Sequence, residues 1–132
     1  MLLGRGTNHI LSIDGHSLGP GADGLVWHVR ATISAKHCTY SVDHDMVIMN
    51  SSEMMMTKFV EFAEHRTNAV QIDLSSKGFI RFERDNRGYL HLRYRIAAWN
   101  DTGTALESAI EVEGEFANET CREFMALLDG RW

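Results

Sequence analysis

The sequence predicts an α+β fold: a mostly antiparallel β-sheet, laid out as a meander or folded over into a sandwich, packed with two short amphipathic helices. Two observations predict it. Apolar and polar residues alternate with period two through most of the chain, as half-buried strands require. In two segments the apolar residues recur instead at i, i+3, i+4 and i+7, which is helical spacing. All 132 residues are read as a single domain, with residues 1–8 expected to be flexible.

The first strand is expected from about His9 to Asp14. The run Gly15 to Gly24, GHSLGPGADG, holds the only proline and reads as a glycine-rich loop. Beyond it Leu25, Trp27, Val29, Ala31, Ile33 and Ala35 alternate with polar or small partners, so Trp27 is expected in the core. A turn near Lys36 and His37 leads into a returning strand, with Cys38, Tyr40 and Val42 on its apolar face. Asn50, Ser51 and Ser52 offer helix N-cap oxygens, and Glu53 complements the helix dipole. The helix they open carries Met55, Met56, Phe59, Val60, Phe62 and Ala63 in one sector, and it ends between Arg66 and Asn68.

The second half reads as a four-stranded meander. Val70, Ile72 and Leu74 precede a turn at Ser75 to Gly78; Ile80 and Phe82 precede a turn at Asp85 to Gly88. Leu90, Leu92, Tyr94 and Ile96 then line one face, with His91, Arg93, Arg95 and Trp99 on the other. A last strand is expected from Leu106 to Phe116, its glutamates lying beside Arg93 and Arg95. Thr120 and Glu123 have capping-box spacing for a terminal helix bearing Cys121, Phe124, Met125 and Leu128. No internal repeat is visible in the sequence.

Composition narrows the function. A net charge of −5 without a Lys/Arg stripe argues against nucleic acid as a partner. No apolar run approaches the length of a bilayer span, and Met1 to Ile10 does not read as a secretory signal, so a cytoplasmic protein with no membrane contact is expected. Cys38 and Cys121 lack metal or redox spacing and are expected as reduced, buried thiols, with a disulfide between them as the alternative. The seven histidines, including His44 between Asp43 and Asp45, show no ligand spacing, so neither metal nor cofactor is expected. No nucleophile motif appears, and Glu111 and Glu113 on an open strand face would be solvated, so no catalytic residue is assigned.

What remains is surface recognition. Glu107, Glu111, Glu113 and Glu115 would line one side of the last strand, and Trp99 would share a charged face; these five are the candidate partner-binding residues. A metal- or small-molecule-binding protein using the histidines is the alternative, and a self-associating domain pairing sheet edges, including a homodimer, is another.

The order of features resembles small bacterial immunity proteins of the type that accompanies the cell-wall-associated toxin WapA. The matching features are an early strand bearing Trp27, a helix entered from Asn50 to Glu53, an aromatic meander (Gly78 to Phe82 and Tyr89 to Trp99), and an acidic strand with a C-terminal helix. Together they span Leu25 to Leu128. The resemblance implies a non-catalytic protein that binds and neutralises a cognate toxin.

Overall fold

The computed structural model describes residues 2–3, 9–16, 26–49, 52–97, 105–112 and 114–129. Ten elements follow one another: β1 (Leu2–Leu3), β2 (His9–His16), β3 (Val26–Ala35), β4 (Cys38–Val47), α1 (Ser52–Ala63), β5 (Ala69–Asp73), β6 (Phe79–Arg84), β7 (Leu90–Ala97), β8 (Ala105–Val112) and α2 (Gly114–Leu128). The strands form two antiparallel sheets, ordered β1-β2-β3-β4 and β5-β6-β7-β8. The α+β class therefore holds, and the antiparallel strands are divided between two sheets. The chain is built twice on one plan, four meandering strands and then a helix, a repeat of architecture with no counterpart in the sequence.

Among the described residues, one backbone seam joins the sheets. Ile48 bridges Leu74, Met49 N–H donates to the Asp73 carbonyl at 2.9 Å, and Ser75 N–H donates to the Val47 carbonyl at 2.9 Å. The core lies between the inner sheet faces and the two helices. Trp27 of β3, Phe59 and Phe62 of α1, Phe82 of β6 and Phe124 of α2 are all fully buried. Phe124 sits at the centre, edge-on to Trp27 at 5.7 Å and to Phe82 at 4.6 Å, and stacked with Phe59 at 6.4 Å. Each such pair adds about 0.5–1.5 kcal/mol beyond the area it buries, so the cluster ties both sheets to both helices.

Helix α1 ends in a Schellman motif. Arg66 N–H bonds the Glu61 carbonyl and His65 N–H bonds the Phe62 carbonyl, while His65 itself occupies the left-handed region at φ 61°. In the sheets, the turns expected at Ser75–Gly78 and Asp85–Gly88 are present, with Ser76, Lys77 and Gly88 at positive φ.

Leu2–Leu3 pairs with β2 as a short strand. Two expectations are corrected. The last strand stops at Val112 and α2 begins at Gly114, which places Glu115 on the helix and leaves Thr120 buried mid-helix, where it caps nothing. Val60, expected on the packed side of α1, is exposed, because Phe59 and Phe62 define the buried stripe.

Candidate functional site

Strands β3 and β4 pair over ten positions, from Val26 opposite Val47 to Ala35 opposite Cys38, with no bulge. Their inner face starts deep in the core and runs out of it. Trp27 opposite Met46 is fully buried; next come Val29 opposite His44 and Ala31 opposite Val42, buried on β3 and half-buried on β4. Farther out, Ile33 is half-buried opposite Tyr40, which is 55% exposed, and Cys38 at the strand end is exposed. Cys38 is thus not the buried thiol its alternation suggested. Period two identifies the face, but among the described residues no layer covers this end of it. The neighbouring Cys38 thiol, with some desolvation, raises the Tyr40 pKa above its ordinary value.

The outer face of the same hairpin carries a charge cluster. His28 Nδ1 lies 2.7 Å from Asp45 Oδ1, and His28 Nε2 lies 2.5 Å from Asp43 Oδ1. Arg30 closes on the other Asp43 oxygen, through Nε at 3.0 Å and a terminal nitrogen at 2.9 Å. With a carboxylate at each ring nitrogen, the imidazolium form is favoured. The Asp45 hydrogen bond raises the His28 pKa most, against partial desolvation, with the charges of both aspartates assisting and Arg30 opposing. In the sequence His44 stands between Asp43 and Asp45. In the sheet His44 points to the opposite face, and the partner across the hairpin is His28.

The acidic face expected on the last strand is only partly assembled. Glu107 and Glu111 are exposed on the outer face of β8, opposite Arg95 and His91. Trp99 and Glu113 lie outside the described residues, and Glu115 belongs to α2, so the five candidate residues are not brought together on one strand. The charges on this face are shared out across the strands. Arg95 approaches Glu107 at 4.0 Å and donates to the Lys77 carbonyl at 3.2 Å; Arg81 bonds Glu83, which Arg93 approaches at 3.8 Å. His91 turns to Asp85 at 2.9 Å.

An open groove of about 520 Å³ lies between α1 and β5, where Lys58 and Arg81 face Glu61 and Asp73. Its charges balance and it gathers no nucleophile. Among the described residues, no group of three His, Cys, Asp or Glu is placed to hold a metal ion, and no helix is long and apolar enough to cross a membrane. The thiols are free, and burial pushes the Cys121 pKa up, which quiets it as a nucleophile.

The sequence matches no protein-family profile and no curated protein. Among solved structures, the fold is similar to that of a chain in the crystal structures of Trypanosoma brucei MRP1/MRP2, with a TM-score of 0.51 and 12% identity over 93% of this chain and 72% of that one. At that identity the likeness is one of fold.

Proposed function

We propose that this chain is a non-catalytic protein-binding module whose contact surface is the projecting end of the β3–β4 hairpin. One observation carries the reading: the apolar alternation of the hairpin continues past the point where the core stops covering it, leaving Ile33 half-buried and Tyr40 and Cys38 exposed, with no described residue layered over them. Exposed apolar surface that keeps strand periodicity costs solubility unless another surface covers it. A tyrosine at the centre of such a patch supplies a large, stiff contact with a polar tip. The β8 face fits the role less well, since Glu107 already has Arg95 beside it.

The narrower form of the reading, an immunity protein occupying a cognate toxin, draws its support from the layout resemblance between Leu25 and Leu128. Site-specific photo-crosslinking tests the general form. A benzophenone side chain at position 40, in cells expressing the protein at native level, is expected to yield a discrete protein adduct. Recovery of unmodified monomer alone would overturn the reading. For the immunity form, the adduct must contain a toxin; any other protein in it refutes that form.

A further inference from the structure

We propose that the partner covering this hairpin is a second copy of the chain, joined strand to strand along the free edge of β4 about a twofold axis at Ser41. The proposal rests on the reading of the hairpin as a contact surface and names its occupant.

The edge is identified by the seam between the sheets. Val47 donates its N–H to Ser75 Oγ at 3.1 Å and accepts from Ser75 N–H at 2.9 Å, so its backbone points away from β3. Backbone direction alternates along an antiparallel strand. The N–H and C=O groups of Thr39, Ser41 and Asp43 therefore point the same way, and among the described residues no hydrogen bond is found for them on that side. Sheet edges are ordinarily protected by lysine, proline, a bulge or very short length. β4 has none of these: its sequence is CTYSVDHDMV, and it pairs without interruption over ten residues. Its Asp43 is already engaged by Arg30 and His28, which blunts the charge as a deterrent.

Of the registers that keep outward residues opposite one another, the one centred on Ser41 pairs the longest stretch of the edge without opposing like charges or reaching the seam. An axis at Ser41 sets Ser41 opposite Ser41, Thr39 opposite Asp43, Tyr40 opposite Val42 and Cys38 opposite His44 of the second copy. Outward-pointing residues then meet outward-pointing residues, and the Tyr40 ring gains an aliphatic neighbour on the uncovered inner face. Asp43 meets threonine and not itself. A shift of the axis to Val42 brings the second copy's His37 level with Val47, where Ser75 already sits. A shift to Asp43 opposes the two aspartates. Any half-step reverses the faces of the strand. The resulting contact is isologous and closes as a dimer.

The test uses the edge geometry. Ser41→Pro removes an outward N–H, costs no bond to β3, and sits where edge strands accept proline. By light scattering over a dilution series, the wild-type protein is expected to move between the monomer mass and twice that mass. Ser41→Pro is expected to stay monomeric with an unchanged circular dichroism spectrum. In a Cys38→Ser background, Ser41→Cys is expected to form an intermolecular disulfide on mild oxidation, since facing hydrogen-bonded residues have Cα atoms about 5.5 Å apart. Thr32→Cys, one strand inward, is expected to remain reduced. A wild-type monomer at every concentration, a dimer indifferent to Ser41→Pro, or a Ser41→Cys protein that does not cross-link overturns the proposal. The binding-module reading fails separately, on the absence of any adduct from position 40; an adduct with a different protein alone refutes self-pairing and leaves that reading standing.

Discussion

His28 and Asp45 face each other across the β3–β4 hairpin, joined from Nδ1 to Oδ1 at 2.7 Å, while the other ring nitrogen reaches Asp43. The raised His28 pKa makes this cluster a pH-dependent contributor to stability. A histidine whose folded value exceeds its unfolded one stabilises fully below the ordinary value of 6.5, and the contribution is lost as pH rises through the raised value. With 37% of the His28 side chain exposed, solvent screening keeps the effect below about 1 kcal/mol. His28→Gln is expected to lower Tm at about pH 5.5 and to differ less from wild type at about pH 9, values on either side of the histidine range. A Tm difference that does not change with pH would show that the ring is held by packing.

His65 closes the Schellman motif of α1 in a conformation that suits glycine. The ring is exposed, so replacing it removes little packing. His65→Gly is expected to raise stability by about 1 kcal/mol, the left-handed penalty of a residue with a Cβ less the added freedom of the unfolded chain. Urea unfolding measures it: the midpoint rises with no change in slope. A lower midpoint would mean that His65 makes a contact in solution beyond its backbone role.

Gly78 is required for closeness, not for a positive φ. A Cβ at this position would lie 2.8 Å from the Arg95 carbonyl oxygen and 3.2 Å from that of Ser75, both backbone atoms, as well as 3.1 Å from the Met46 terminal methyl. The methyl can move; the carbonyls belong to β7 and to the seam between the sheets. Gly78→Ala is expected to destabilise by about 1–3 kcal/mol, the usual cost of overpacking. Gly88, at φ 83° with open space around it, is the control. Gly88→Ala should cost only the backbone penalty of about 1–2 kcal/mol, and amide exchange should quicken only in the β6–β7 turn. Quickened exchange at Ser75 and Val47 in Gly78→Ala would locate the strain at the seam; exchange unchanged there refutes this account.

Much of this architecture was legible because period-two alternation and turn chemistry agree over long stretches. Leu90, Leu92, Tyr94 and Ile96 are buried, and the Asp85–Gly88 turn stands where Asn86 and Gly88 indicated. The boundary between β8 and α2 was not legible, because Gly114 and Phe116 happen to continue the strand alternation while the helix in fact begins at Gly114. Nor does alternation report what covers a face, which is why Cys38 is expected to be buried and is exposed. The His28 cluster was within reach of sequence. The tight turn at Lys36–His37 sets Ala35 against Cys38, and counting back from it pairs Arg30 with Asp43 and His28 with Asp45. Grouping His44 with its chain neighbours hid that relationship.

Asp85 organises the β6–β7 turn. One carboxylate oxygen accepts from the N–H groups of Arg87 at 2.8 Å and Tyr89 at 3.1 Å, and the other meets His91 Nε2 at 2.9 Å. The His91 hydrogen bond chiefly holds the Asp85 pKa below its ordinary value of 3.8, against partial desolvation, with the two backbone N–H groups and Arg87 adding to it. A depressed carboxylate contributes stability that is complete above the unfolded value and is lost as pH falls through the folded one. Asp85→Ala is therefore expected to lower Tm by a constant amount from neutral pH down to a little above 3.8, and the gap should close only below that value. Asp85→Asn separates the two roles. It retains an oxygen for the backbone N–H groups but loses the charge toward His91, so it should recover part of the Tm and show no closing of the gap specific to acid. An Asp85→Ala deficit that already shrinks between pH 7 and about pH 5, above the ordinary aspartate range, would contradict the depressed pKa.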